Sequence, residues 1–332
     1  MVIPFRSLVF IITLPLLLSC FLLSMSVYAL NNTTNNNTNI ISNEEIELTA
    51  DSPTLSPEAL EFLNNPTLSS KSIDSVNNTT KNNTKILGPD EIEFLEIYVD
   101  LTPEAREFFT NATDLLKIGN YEEANLLYDK ALAREPYNAL ILNNKGFTLN
   151  ALGKYEEAIA YYNRALEINP TSSGLLGILL ENKAHSLIKL GLYEEAIENY
   201  DKALGIEPNS PVTLHNKAGV FLALGHYEKA IENYDKSLAI EADPITLTSK
   251  ATALGYLGKY QEAIENYDKA LGIEPNDPIT LASKGDTLLL LNQTSEAIEN
   301  YDKALAIDPG NEYVLEGKRI AQSLMNFTQS KN

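Results

Sequence analysis

The chain has 332 residues, a formal net charge of −20 at pH 7 and a single cysteine. The excess of acidic residues argues against a nucleic-acid partner, because few basic residues are available to neutralise phosphates. The lone cysteine excludes an intramolecular disulfide and a cysteine-based zinc site.

The composition of residues 1–30 predicts that the protein is exported. Arg6 is the only charged residue in this range, and residues 7–30 are uncharged and mostly apolar. Cleavage after Ala29 fits a signal peptide, but the same stretch is also long enough to stay in a bilayer as an anchor. A lipid anchor on Cys20 is a third reading, disfavoured by the apolar residues that follow it. We therefore expect an exported protein at the cell surface, either membrane-anchored or secreted.

Residues 31–86 are predicted to be a disordered stalk, because they are rich in Asn and Thr and contain few large apolar side chains. This segment carries six Asn-x-Thr triplets, which are acceptors for N-glycans in an exported chain. Composition alone would also generate such triplets, so both readings stay open. The triplets begin at Asn31, Asn32, Asn36, Asn77, Asn78 and Asn82.

A repeating pattern fills the rest of the chain. Residues 87–104 are predicted to form a lead-in helix and linker, and residues 312–326 a capping helix. Between them the stretch AIENYDKAL occurs at Ala196 and recurs verbatim at Ala263 and Ala297. Such self-similarity indicates stacked structural units and not a single active site. The predicted units are 105–138, 139–172, 177–210, 211–243, 244–277 and 278–311.

Each unit contains two helical patterns separated by a turn. The third unit begins after four extra residues, which would lengthen its first helix by about one turn. A glycine follows the first helix in five units, where a left-handed backbone is needed, and Asn292 stands there in the sixth. The turn glycines are Gly119, Gly153, Gly191, Gly225 and Gly258.

Large and small residues alternate at fixed places in the units. A large first-helix residue recurs as Phe108, Leu142, Leu180, Leu214, Leu247 and Leu281. A small residue follows as Ala112, Gly146, Ala184, Ala218, Ala251 and Gly285. The second helices repeat an alanine and then a tyrosine, at Ala124 and Tyr128, Ala158 and Tyr162, Ala196 and Tyr200, Ala230 and Tyr234, Ala263 and Tyr267, and Ala297 and Tyr301. Small residues allow helices to cross closely, and large ones fill the gaps beside them.

This pattern resembles the tetratricopeptide repeat family over residues 105–311. The resemblance implies an all-α fold, a right-handed superhelical solenoid of helix–turn–helix repeats. It also implies that the first helices line a concave surface that binds peptides or proteins. One departure is a lysine before the small residue in five units, where the family usually has leucine. Another is Thr294 in place of the aromatic residue that opens the last second helix; it completes a further Asn-x-Thr triplet at Asn292.

Polar first-helix residues are the predicted peptide contacts. An asparagine can both donate to and accept from a peptide bond, so asparagines spaced one unit apart would bind an extended backbone. Solvated asparagines retained after duplication are the alternative reading. The predicted contacts are Asn144, Asn182, Asn216, Ser249 and Ser283, with Asn143 and His215 beside them. The lysine clamp that some family members use for C-terminal carboxylates is missing.

No enzyme active site, metal or other cofactor is predicted. Glu181, His185 and His215 offer a carboxylate and two imidazoles to a divalent ion, but a fourth ligand is not apparent. We therefore predict a scaffold with an unidentified protein or peptide partner. The alternatives are a structural spacer that assembles through its ends or its convex face, and an accessory subunit that presents substrates to a separate enzyme.

Overall fold

The computed structural model of the chain describes residues 101–170 and 172–329. The predicted signal or anchor segment, the stalk with its six triplets, and residues 87–100 of the lead-in segment lie outside the described residues.

The described residues form only α-helices, as the sequence predicts. No helix among them is both long and apolar enough to cross a membrane. The helices are α1 (Pro103–Lys117), α2 (Tyr121–Arg134), α3 (Ala139–Ala151), α4 (Tyr155–Glu167), α5 (Ser173–Lys189), α6 (Tyr193–Ile206), α7 (Pro211–Ala223), α8 (Tyr227–Ile240), α9 (Pro244–Tyr256), α10 (Tyr260–Ile273), α11 (Pro278–Leu290), α12 (Thr294–Ile307) and α13 (Glu312–Gln329). We call α1, α3, α5, α7, α9 and α11 the first helices, and α2, α4, α6, α8, α10 and α12 the second helices.

The helices are grouped into two compact units, with the boundary between Thr213 and Leu214 in the first turn of α7. In the unit that ends at Thr213, α1 packs on α2, α2 on α3, and so on to α6. In the unit that begins at Leu214, the same order of neighbours runs from α8 to α13. Each unit is therefore a stack of helical hairpins.

The turns adopt the predicted backbone. The five turn glycines have φ between 74° and 79°, and Asn292 has φ 60°. Asparagine is the residue that best tolerates this left-handed region after glycine. The four extra residues before the third unit extend α5 to 17 residues, with Ser172 as its N-cap. Leu175 of this added turn and Leu179, one turn later, are buried in the same core cluster as α3 and α4, so they fill space between repeats.

The second-helix tyrosines form the centre of each repeat. All six are fully buried. Glycine occupies the small first-helix position in two repeats, and a Cβ atom on Gly146 would lie 2.6 Å from the Tyr162 ring. A Cβ atom on Gly285 would lie 2.8 Å from the Tyr301 ring. The alternation of small and large residues therefore sets how closely the two helices of a repeat approach.

The first repeat departs from the pattern on one side. Its predicted core residue Phe108 is only half-buried, whereas the neighbouring Phe109 is 2% exposed. Phe109 packs edge-on against the Tyr128 ring at 5.9 Å between centroids. Phe108 nevertheless packs against the core cluster, and Lys130 Nζ of α2 lies 5.7 Å from its ring centroid. Both adjacent phenylalanines therefore contact α2, and Phe109 is the more buried of the two.

An exposed stripe runs along α1. Glu107, Asn111 and Ile118 are exposed, whereas the equivalent residues of α3, which face α2, include Ile141 and Lys145, both buried. The last helix, α13, has an exposed stripe of its own on residues spaced three or four apart, namely Leu315, Arg319, Gln322 and Asn326. We call these two surfaces the end faces.

Lysines at three of the positions before the small first-helix residue, and Lys318 at the equivalent position of α13, pair with the second helix of the preceding repeat. Lys145 lies 2.7 Å from Asp129, and its ammonium group also donates to the backbone oxygen of Asn125. The same ion pair recurs along the chain between Lys250 and Asp235, Lys284 and Asp268, and Lys318 and Asp302. A long apolar stem lets lysine replace leucine in the packing while its charged end reaches the aspartate.

We expect the cost of breaking these pairs to follow the burial of the lysine. Lys145 is 4% exposed and Lys318 is 28% exposed. Asp129→Ala should lower the free energy of unfolding by about 1–3 kcal/mol, because it leaves a buried charge without its partner. Asp302→Ala should cost under about 1 kcal/mol, since solvent screens the exposed lysine. Urea unfolding of the two variants tests this order, and equal losses would contradict it.

Candidate functional site

The first helices touch one another as well as their second helices. Direct contacts join α1 to α3 and α3 to α5 in one unit, and α9 to α11 and α11 to α13 in the other. Side chains on this surface can therefore bond across neighbouring repeats. The predicted peptide contacts all belong to the first helices.

Three asparagines form a hydrogen-bonded chain on α3 and α5. The side-chain amide of Asn182 donates to Asn143 Oδ1 at 3.0 Å, and that of Asn143 donates to Asn144 Oδ1 at 3.2 Å. Asn143 is buried, and Asn144 and Asn182 are half-buried. An amide has two N–H donors and an acceptor oxygen, so Asn182 keeps one N–H and its oxygen for a ligand.

A second set of polar bonds links residues equivalent to Asn143 with the start of the next first helix. Thr213 Oγ1 donates to Glu181 in one unit. His215 Nδ1 and Thr246 Oγ1 are 2.9 Å apart in the other unit, and Thr248 Oγ1 and Thr280 Oγ1 are 2.7 Å apart. His215, a predicted peptide contact, is therefore already hydrogen-bonded to the following repeat.

The remaining predicted contacts differ in accessibility. Asn216 is half-buried, and its side chain makes no hydrogen bond to the residues that the structure describes. Ser249 is 6% exposed and Ser283 is 8% exposed, so their side chains are largely covered. Asn144, Asn182 and Asn216 are therefore the predicted contacts with accessible surface. Asn292 lies exposed in the turn before α12.

Burial shifts the pKa of each of the three candidate metal ligands. Burial raises the pKa of the Glu181 carboxyl, although its bond with Thr213 acts in the opposite direction. Burial lowers the pKa of His185 to about 4, and Lys189 adds to the effect. Burial also lowers the pKa of His215. Among the described residues, no group of three His, Cys, Asp or Glu side chains is placed to hold a metal ion.

Asp286 is a buried polar residue that the sequence pattern does not single out. Its carboxylate accepts a hydrogen bond from Tyr301 Oη at 2.6 Å and another from Tyr313 Oη of α13. Burial raises its pKa to about 6, although the two tyrosine bonds act in the opposite direction. In two other repeats a threonine bonds the equivalent tyrosine, Thr113 with Tyr128 and Thr252 with Tyr267. A comparison of these equivalent positions would have revealed the pairing from sequence.

Family comparisons match most of the helical array. Three family models, each described as tetratricopeptide repeat, match residues 139–172 and 244–277, residues 175–241, and residues 280–311. Comparison with curated proteins found no match.

Solved structures of similar fold include three with a TM-score above 0.5. The Cut9–Hcn1 hetero-tetramer of the APC/C has a TM-score of 0.56 at 18% identity; the match covers 69% of this chain and 45% of that chain. The C-terminal part of a TPR repeat-containing protein from Cytophaga hutchinsonii gives 0.55 at 21% identity, covering 67% of this chain and 90% of that chain. A tetratricopeptide repeat protein from Parabacteroides merdae ATCC 43184 has a TM-score of 0.53 at 20% identity, and the match covers 67% of this chain and 94% of that chain. At these identities the likeness shows the fold alone.

Proposed function

The chain belongs to the tetratricopeptide repeat family, and from this premise we propose that it is an exported scaffold that binds an extended peptide or protein segment along its first helices. The observation that carries the proposal is the hydrogen-bonded chain of Asn143, Asn144 and Asn182. It holds two half-buried amides in fixed orientations on the surface that family members commonly use for partners. Fixed donors and acceptors reduce the ordering cost of binding a flexible peptide.

The ligand that suits this surface is recognised mainly through its backbone. In the unit that ends at Thr213, Asn182 retains a donor and an acceptor. In the unit that begins at Leu214, Asn216 retains its full hydrogen-bonding capacity within the described residues. Amides pair equally well with peptide groups that carry different side chains. Neither amide carries a charge, so we expect the binding to depend little on salt.

Export rests on the uncharged stretch of residues 7–30. In this proposal the Asn- and Thr-rich segment 31–86 separates the helical array from the membrane or cell surface. The array itself binds and does not catalyse, in keeping with the scaffold role that is general in this family.

The end faces argue for groove binding over a spacer that grows through its ends. Glu107 and Asn111 are exposed on the α1 end face, whereas the equivalent residues of α3 are buried. A further repeat stacked on α1 would have to bury these polar groups without the lysine–aspartate pair. The α1 end face is therefore less suited than the equivalent face of α3 to stacking against a further repeat.

Substitution of the three accessible asparagines should abolish partner binding. The full chain in detergent serves as bait on an envelope extract, beside a variant with Asn144→Ala, Asn182→Ala and Asn216→Ala. We expect partners captured by the parent to be lost from this variant, because the peptide loses its backbone hydrogen bonds. Captured proteins are identified by mass spectrometry.

A matched control carries Asn163→Ala, Asn209→Ala and Asn276→Ala, three exposed asparagines outside the first helices. This variant should capture the same partners as the parent, and the helicity of all three proteins should agree by circular dichroism. Identical capture by the parent and the first-helix variant would overturn the role of the asparagines and favour the spacer.

A further inference from the structure

The acceptor triplets of the described array lie at exposed asparagines, although exposed asparagines such as Asn163 also occur outside triplets. Three Asn-x-Thr triplets with a residue other than proline in the middle lie within the described residues, at Asn111, Asn292 and Asn326. All three of these asparagines are exposed. The buried asparagines, by contrast, all lie outside such triplets, namely Asn143, Asn199, Asn233, Asn266 and Asn300.

Two of the three triplets lie on the end faces. Asn111 occupies the α1 position that holds an ion-paired lysine in α3, α9, α11 and α13. Asn326 lies on the exposed stripe of α13, three turns after Leu315. An N-x-Thr triplet with an accessible asparagine is the acceptor signal for N-glycosylation in an exported chain. We propose that Asn111 and Asn326 carry N-linked glycans, one on each end face of the array.

The transfer requires an activated sugar donor, and its chemical class follows from the acceptor. The side-chain amide nitrogen of asparagine attacks the anomeric carbon of an oligosaccharide linked through phosphate to a lipid. The nitrogen–carbon bond forms as the carbon–oxygen bond to the lipid phosphate breaks. The phosphate leaves with the bonding electron pair, and the amide nitrogen gives up one proton to the medium. No oxidant or reductant is consumed.

The neighbours of Asn111 determine when it can be modified. Thr113 Oγ1 donates to the backbone oxygen of Phe109 and lies 3.0 Å from Tyr128 Oη. The transferase must reach this threonine, so Asn111 is modified before α1 packs on α2. Asn326 lies close to the end of α13, and Phe327 and Thr328 beside it are exposed. That triplet stays within reach after folding.

The Asn111 glycan lies outside the proposed peptide surface. Asn111 is equivalent to Lys145, which faces the preceding second helix, and not to the predicted contacts Asn143 and Asn144. A glycan on each end face would occupy the space that a further repeat would need. Ile118, which is 77% exposed, lies on the same face as Asn111. This proposal relies on the export part of the proposed function and not on the identity of the partner.

The test uses full chain purified from its own host. Peptides that contain Asn111 and Asn326 should carry a glycan mass in tandem mass spectrometry, and the peptide of Asn163, exposed but outside a triplet, should not. Asn111→Gln and Asn326→Gln should each lower the intact mass by one glycan, with the helicity unchanged because both side chains are exposed. Unmodified Asn111 and Asn326 in the host protein would overturn the proposal, whatever the state of the other triplets. The capture experiment reports independently on the partner, so failure of one proposal is distinguishable from failure of the other.

Discussion

Tyr301→Ala should destabilise the C-terminal repeat more than any other single truncation named here. The Tyr301 ring is fully buried, and Cβ atoms on Gly285 and Gly317 would lie 2.8 and 3.0 Å from it. Two helices thus meet on the ring, and its removal leaves a cavity that glycine neighbours cannot fill. We expect a loss of about 3–5 kcal/mol in the free energy of unfolding, measured by urea unfolding in far-UV circular dichroism.

Tyr301→Phe separates the ring from its hydroxyl. The ring stays in place, and only the hydrogen bond to Asp286 is lost, so we expect a cost of about 1–2 kcal/mol. Hydrogen exchange should show the loss for the alanine variant mainly in residues 278–329, because repeats in such arrays interact chiefly with their neighbours. A cost under about 1 kcal/mol for Tyr301→Ala would show that the ring does not hold the two helices together.

Asp286→Asn should raise the stability at neutral pH. Burial raises the pKa of the Asp286 carboxyl from 3.8 to about 6. The folded chain therefore binds a proton at this carboxyl more tightly than the unfolded chain does. The protonated carboxyl contributes its full share to the free energy of unfolding below about pH 4, and this contribution is lost as the pH rises through about 6. A shift of this size corresponds to about 3 kcal/mol. Asparagine stays neutral, so the variant should exceed the parent by up to about 3 kcal/mol at pH 8 and match it at pH 4.

His185→Phe is a control for which the free energy of unfolding should depend on pH in the opposite direction. Burial lowers the pKa of His185 from 6.5 to about 4, so its contribution is present above about pH 6.5 and is lost as the pH falls toward 4. Phenylalanine stands at the equivalent position of the second repeat, Phe147. The variant should gain stability relative to the parent at acid pH and not at pH 8.

The contradicting outcome for Asp286→Asn is a difference in the free energy of unfolding from the parent that is the same at pH 4 and pH 8. The Asp286 carboxyl would then not titrate in the folded chain as described.

The repeat period of the sequence predicts the structural features that lie within a single repeat. The turn glycines, Asn292 in their place, and the buried tyrosines all follow from the conformation and packing of one hairpin. The added turn of α5 follows from a count of four residues. These features require no knowledge of the neighbouring repeat.

Contacts between repeats are harder to predict. The lysines depart from the family pattern, and the structure gives the reason, because Asp129, Asp235, Asp268 and Asp302 each face one of them. Both residue types recur with the same period, so the signal was present, but the stagger of adjacent helices decides which positions meet. The same stagger buries Asn143 and ties His215 to Thr246, and it explains why only some predicted peptide contacts keep free hydrogen-bonding groups.

The N-caps of α9 and α11 make two repeat boundaries interchangeable. Asp243 caps α9 through Thr246, and Asp277 caps α11 through Thr280. The residues that follow each aspartate, Pro-Ile-Thr-Leu, are identical. A gene that lost the codons for residues 244–277 would encode the same cap at the seam and bring Lys284 opposite Asp235. Recombination between such identical boundaries can lengthen or shorten the array by whole repeats, so the reach of the scaffold can evolve without redesign of its core.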